Sequence, residues 1–157
     1  MAPQPIPEGY HAVTPYLIVQ QAAQAIAFYR RVFSAEEKFR MNEPDGRIGH
    51  AELFIRDSAL MLADEYPELG ILSPTTIGGA GVSLVLHVED ADRVYNAALD
   101  AGATVLRPIQ NQFYGDRSGT VRDPFGHVWT ISTHVEDVPT EEIRARATAF
   151  GKENESE

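Results

Sequence analysis

Thr14-Pro15-Tyr16-Leu17-Ile18-Val19 reads as a short strand, and directly after it Ala22, Ala25, Ile26, Tyr29, Val32 and Phe33 recur at helical spacing. The same order returns in the second half. Ser83-Leu84-Val85-Leu86-His87-Val88 is the strand, and Ala91, Val94, Tyr95, Ala98 and Leu99 form the helical stripe. Both helices exit through small residues, Ser34-Ala35 and Ala101-Gly102-Ala103, where glycine accepts the left-handed conformation of a helix end. Three strand-like runs follow each helix: Glu37 to Met41, Gly49 to Ile55 and Ala59 to Ala63, then Thr104 to Pro108, Gly119 to Arg122 and His127 to Ser132. Thr14 matches Ser83 and Met61 matches Thr130, each pair 69 positions apart. A shared offset at both ends predicts a tandem repeat of βαβββ modules.

The repeat divides the chain into an N-terminal extension (1–9), a first module (10–65), a linker (66–81), a second module (82–137), and a C-terminal helix with a disordered tail (138–157). Pro67, Gly70, Pro74, Gly78 and Gly79 make the connecting stretch read as linker rather than element. The terminal helix is expected over Thr140 to Phe150, with Thr140 as a candidate N-cap and GKENESE disordered after it.

Composition narrows the function. The 157 residues carry a formal net charge of -10, which opposes nucleic acid and anionic membrane, since both recruit lysine and arginine. No apolar run approaches the roughly 18 residues of a membrane span. The opening MAPQPIPEGY lacks the basic and apolar regions of a signal peptide, so a cytoplasmic location is the expectation. With no cysteine there is no disulfide, thiolate nucleophile or thiolate metal site. The sequence also lacks a GxSxG elbow, a GxxxxGK[ST] phosphate loop and a GxGxxG dinucleotide turn.

Three stretches resemble one family. YHAVTPYLIVQQAAQAIAFYRRVF (10–33), HAELFIRDSALMLADE (50–65) and QFYGDRSGTVRDPFGHVW (112–129) are similar to the vicinal-oxygen-chelate superfamily of glyoxalases, bleomycin-resistance proteins and extradiol dioxygenases, and within it to the PhnB-like branch. The resemblance spans about Gly9 to Asp137. It implies an α+β fold in which two tandem βαβββ modules form a half-open barrel, paired in a homodimer around a cleft for a small molecule. Metal-dependent members carry a histidine or glutamate ligand on the first and last strand of each module. Aligned on AIAFY and DPFGH, those positions hold Thr14, Met61, Ser83 and Thr130. A thioether and three neutral hydroxyls are poor ligands for a divalent ion. Residues two away on the same faces supply no His, Asp or Glu either, so no metal and no other cofactor is expected.

His50 and Glu52 alternate on one strand face, which points both side chains the same way. They read as a hydrogen-bonded polar pair lining the cleft; a third ligand from elsewhere would make them a metal site. As catalytic candidates they form an acid/base pair, because a carboxylate in an apolar cleft has a raised pKa and can serve as a base. Thr14, Tyr16, Met61, Ser83, Gln112, Tyr114 and Thr130 are the candidate ligand-binding residues. Asp116 with Arg117 offers an ion pair that holds the 112–119 hairpin, and Asp123-Pro124-Phe125-Gly126 reads as a structural turn. Trp129, on the opposite face from Thr130, is expected in the core, and His127 in a turn is expected to be structural.

The leading expectation is a metal-independent small-molecule binding protein, sequestering a drug or metabolite as an antibiotic-resistance protein would. A cationic or aromatic ligand suits the acidic chain. The alternative is a glyoxalase-like lyase or isomerase acting on a small oxygenated substrate, with Glu52 or His50 as base. A dimer-forming interaction domain with a vestigial cleft is the third reading.

Overall fold

Alternation of apolar and polar residues sets the strands. In a computed structural model that describes residues 1–154, strand β3 (Ile48–Ile55) buries Ile48, Ala51, Leu53 and Ile55 and leaves His50 and Glu52 on its other face. The remaining strands of the first module are β1 (Tyr16–Val19), β2 (Glu36–Asn42) and β4 (Ser58–Asp64), ordered β1-β4-β3-β2. β1 runs parallel to β4, and the other pairs are antiparallel. Helix α1 (Ala22–Phe33) buries the whole predicted stripe, with Phe28 added, against one sheet face. Each large apolar side chain in that layer contributes about 1.5–3 kcal/mol on burial.

The second module repeats the plan. Strands β5 (Ser83–His87), β6 (Thr104–Asn111), β7 (Asp116–Arg122) and β8 (Val128–His134) are ordered β5-β8-β7-β6, with β5 parallel to β8 and helix α3 (Ala91–Asp100) in the crossover. Tyr16 pairs with Met61 and Val85 with Thr130, so the 69-position offset of the sequence is also the offset of the two parallel registers. Trp129 and Ile131 are buried, as is Tyr95 of α3. Gly119 has no room for a side chain, because a Cβ there would stand 2.6 Å from the Tyr95 ring and 3.0 Å from the Ile109 backbone.

Several boundaries differ from the sequence reading. The 66–81 stretch is not bare linker: it contains a 3₁₀ turn (Pro67–Leu69) and a short helix α2 (Pro74–Ile77), each opened by a proline at its first position. Glu65 organises it by accepting hydrogen bonds from the Ser73 N–H (2.8 Å), the Thr76 hydroxyl (2.7 Å) and the Gln20 amide (3.0 Å). Those donors, the Thr76 hydroxyl first, lower the Glu65 pKa to about 2. Helix α4 (Thr140–Asn154) begins at Thr140 and runs four residues past Phe150, so Gly151 to Asn154 are helical rather than disordered. The last three residues of the expected tail lie outside the described residues. Arg117 does not pair with Asp116, because neighbouring strand residues face opposite ways. Arg117 forks onto Asp92 (2.6 and 2.8 Å), while Asp116 accepts from His134 (2.8 Å).

The chain divides into two compact units, and the division does not follow the module boundary: Arg122–His127 belongs with Met1–Val82. In that first unit Asp123 accepts the Phe125 and His127 N–H groups on one oxygen and the buried Tyr29 hydroxyl on the other. Phe125 meets the Phe28 and Tyr29 rings edge-on. The His127 imidazole hydrogen-bonds the Ile18 carbonyl at 2.9 Å, giving the edge strand β1 a partner.

Helix α1 has no acidic residue in its first turn and no side-chain cap from Gln21. Its cap comes from β4. The Asp64 carboxylate, 8% exposed, accepts the Ala22 N–H at 2.9 Å and the Ile48 N–H at 2.7 Å. Each buried donor left without a partner costs about 1–3 kcal/mol. Asp64→Ala is therefore expected to lower unfolding stability by at least about 2 kcal/mol in a urea melt, whereas Asp57→Ala in the exposed β3–β4 turn should shift it by less than about 0.5 kcal/mol.

Candidate functional site

The sheet face of the first unit that α1 does not cover carries both catalytic candidates. Register sets the neighbours: Glu52 stands opposite Met61 on β4 and Phe39 on β2, and His50 stands opposite Met41. Met61 in turn lies beside Tyr16 on β1. Tyr16, Phe39 and Met41 are each close to half exposed, unusual for large apolar side chains on a sheet with a second, well-filled face.

Four polar groups on this face form one chain of hydrogen bonds. The Tyr16 hydroxyl lies 2.8 Å from His50 Nδ1, His50 Nε2 lies 3.2 Å from Glu52 Oε1, and the Tyr10 hydroxyl donates to Glu52 Oε2 at 2.5 Å. Every group is satisfied when a neutral His50 carries its proton on Nε2, donating to Glu52 and accepting from Tyr16. The His50 ring stands between the Tyr16 and Phe39 rings, with centroids 5.5 and 6.2 Å away. His50 and Glu52 keep 24% and 27% of their side-chain surface exposed, so the chain is open to a ligand.

The electrostatics reverse one expectation. Glu52 is not a carboxyl raised by an apolar cleft: the Tyr10 hydroxyl, and after it His50, hold its pKa below the ordinary glutamate value, and burial opposes them without prevailing. Glu52 is a carboxylate at neutral pH. The same contact pushes Tyr10 up to about 12, because a phenolate beside Glu52 would lose its hydrogen bond and meet a like charge. Burial raises Tyr16, with a smaller contribution from Tyr66.

Tyr10 is the functional candidate that sequence reasoning missed. It lies at the boundary between extension and module, in no strand and on no helical stripe. The tertiary fold brings it to Glu52, 42 positions away, and sets its ring edge-on to Phe54 at 5.4 Å. Phe39 and Met41 were also unassigned, since β2 shows no clean alternation to say which residues share the Glu52 face.

Five of the nine candidates thus meet on one face: Thr14, Tyr16, His50, Glu52 and Met61. Thr14, Glu52 and Met61 line a cavity of about 450 Å³ together with Tyr10 and the proline-rich start of the chain. In the second unit, Thr130 hydrogen-bonds Thr120 at 2.9 Å, and Ser83 is exposed where β5 begins, opposite Val128. Gln112 and Tyr114 lie elsewhere on that unit. Gln112 donates to the Ser118 carbonyl on β7 of its own hairpin, and Tyr114 packs on Phe113, which contacts Phe150 of α4. Their turn opens β7 at Asp116, beside Ser132 and His134 at the far end of β8 from Val128, so the register sets them at the opposite end of the sheet from Ser83.

Among the described residues, no group of three or more His, Cys, Asp or Glu stands together as a metal-binding cluster. The positions at which the resemblance implies ligands hold Thr14, Met61, Ser83 and Thr130, whose donors do not suit a divalent ion. No helix among the described residues is long and apolar enough to cross a membrane.

Two βαβββ modules and an open sheet face make comparison with known proteins direct. The family model of the Glyoxalase/Bleomycin resistance protein/Dioxygenase superfamily matches residues 10–131. The chain belongs to that superfamily. It is 41% identical over 143 residues to protein Rv0887c of Mycobacterium tuberculosis (strain ATCC 25618 / H37Rv), covering 89% of this chain and 84% of that protein. Its fold is similar to that of protein PA1353 from Pseudomonas aeruginosa, with a TM-score of 0.68, 24% identity and coverage of 79% and 98% of the two chains. It is also similar to the putative 3-demethylubiquinone-9 3-methyltransferase, PhnB protein, from Bacillus cereus, with a TM-score of 0.64, 18% identity and coverage of 78% and 99%. The likeness to these two structures is one of fold.

The coupling between Tyr10 and Glu52 has a measurable signature. A group whose folded pKa is raised contributes stability that is full below its unfolded value and lost as pH rises through the folded value. For Tyr10 that window runs from about pH 10 to about pH 12. For Glu52, whose pKa is lowered, the contribution is present above the ordinary glutamate value of 4.5 and lost as pH falls through the depressed one. Absorbance at the phenolate band is expected to include a component near pH 12 that is lost in Tyr10→Phe and moves toward pH 10 in Glu52→Gln. An unchanged titration curve in both variants would show that the contact is not formed in solution.

Proposed function

We propose that this superfamily member is a metal-independent small-molecule binding protein, sequestering a drug or metabolite that is cationic and aromatic. The observation that carries this reading is the Glu52 carboxylate, held ionised by Tyr10 and His50 and framed by the exposed rings of Tyr16 and Phe39. An ionised, part-exposed carboxylate attracts a cation, and aromatic faces within about 6 Å add a further attraction of about 0.5–2 kcal/mol. The net charge of -10 favours the approach of such a ligand. The "bleomycin resistance protein" in the superfamily's name is consistent with capture of a drug.

The enzymatic alternative, a glyoxalase-like lyase or isomerase, requires Glu52 or His50 to act as a base. A general base works best with a pKa near the working pH, and Glu52 is moved the other way. Binding a cation needs that same depressed pKa.

A cationic aromatic dye such as ethidium tests the reading. Fluorescence titration is expected to show that Glu52→Gln weakens ethidium at least 10-fold while an anionic dye, fluorescein, binds neither protein. Equal ethidium affinity for the two proteins would sink the proposal. For an enzyme, Glu52→Gln would instead abolish turnover and leave binding largely intact.

The proposal includes a homodimer in the cytoplasm. The outer strand β6 is exposed at every residue except Ile109 and presents Val105 and Leu106, an apolar edge of the kind proteins usually cover. Native mass spectrometry of protein purified without chelator should give a metal-free species at twice the 17.3 kDa chain mass. A monomer would remove the dimer from the proposal, and a stoichiometric divalent metal would overturn its metal independence.

A further inference from the structure

Two cavities open on the Glu52 face of the first unit, and the strand register sets them side by side. The first is the cavity of about 450 Å³ that Thr14, Glu52 and Met61 line. The second, of about 440 Å³, is lined by Ile18 and Ala63 on the sheet and by Tyr66, Leu69 and Ile71 beyond β4. Ile18 and Ala63 are register partners, as are Tyr16 and Met61 two residues earlier. The second cavity therefore continues the first by about one two-residue strand repeat, roughly 7 Å. Tyr16 lines the second cavity, and its hydroxyl is tied to His50, whose other ring nitrogen reaches Glu52 of the first.

The two cavities differ in the balance of their walls. The first centres on the Glu52 carboxylate and its hydrogen-bonded chain. The second has the Glu43 carboxylate at its side beside Gly49 and the buried Asp64, whose oxygens are both occupied by backbone N–H groups, while the rest of its wall is aromatic and aliphatic. Leu69 and Ile71 are 70% and 39% exposed, an apolar pair outside the core. Their loop is braced: Tyr66 and Ile71 form a β-bridge, and the Arg47 guanidinium lies 3.9 Å from the centre of the Tyr66 ring while pairing with Glu68. A wall fixed in this way suits a ligand that needs no ordering of the loop when it binds.

We infer that the cavities are two subsites for one elongated amphipathic cation. Its charged head sits at Glu52, its flat middle crosses the Tyr16 and His50 rings, and its apolar end rests between Tyr66, Leu69 and Ile71. Each cavity falls within the range of small-molecule sites, about 300–1,000 Å³. The inference rests on the reading of Glu52 as a cation site and adds the length and polarity of what it holds.

Two probes with a common head test it: N-methylquinolinium, and the same ion extended by a styryl group. The extended probe is expected to bind the native protein at least 10-fold more tightly. Leu69→Ser and Ile71→Ser, separately and together, should erase that preference and leave the short probe unchanged. Both sites are exposed, and a thermal melt of each single variant checks that the fold is kept. Glu52→Gln should weaken both probes. If the extended probe binds no more tightly, or if its advantage survives both serine substitutions, the two-subsite inference fails while the Glu52 reading stands. If neither probe binds, or neither responds to Glu52→Gln, the Glu52 reading fails and takes the inference with it.

Discussion

The parallel pairing of β1 with β4 is the constraint from which the rest of the first unit follows. Parallel neighbours need a crossover, and α1 with β2 and β3 supplies it. Asp64, the last residue of β4, holds the closed arrangement in place by binding the first N–H of α1 and the first N–H of β3 through one buried carboxylate. Where that carboxylate sits, helix entry, strand start and register are set together. Tyr16 is then opposite Met61, Met61 is opposite Glu52, and a polar chain becomes available on the face that the helix leaves open.

That face works through a balance of effects on one carboxylate. Partial burial favours the neutral form of Glu52, but the Tyr10 and His50 donors favour the charged form more strongly. The outcome is a fixed negative charge among aromatic rings rather than a poised base. Tyr10 bears the complementary effect, since its proton is retained to about pH 12. The superfamily fold hosts varied chemistry, so function has to be argued from such a site and not from the βαβββ modules themselves.

Most of the architecture was legible in the sequence, because strand alternation and helical stripe are local properties that burial merely selects. The 69-position repeat of the sequence recurs as the offset between the two parallel registers, and the buried positions of α1 and α3 were read correctly apart from Phe28 and the half-buried Leu99. Local reasoning went astray where partners are distant. Arg117 found Asp92, 25 positions away, instead of its neighbour Asp116. The proline- and glycine-rich 66–81 segment was read as linker because its organiser, Glu65, lies outside the segment it holds.

By itself the sequence determined the α+β class, the tandem βαβββ order, the superfamily, and the pairing of His50 with Glu52 on one strand face. It also determined which donor types are absent from the positions where metal ligands are implied. Only the tertiary structure decided that Tyr10 and Tyr16 complete the polar chain, that Glu52 stays ionised, and that the 122–127 turn belongs to the first unit's core. The physical reason is range. Side-chain periodicity is set by the few residues around each position, whereas a pKa, a remote cap and a cavity wall depend on groups that are close in space and far apart along the chain.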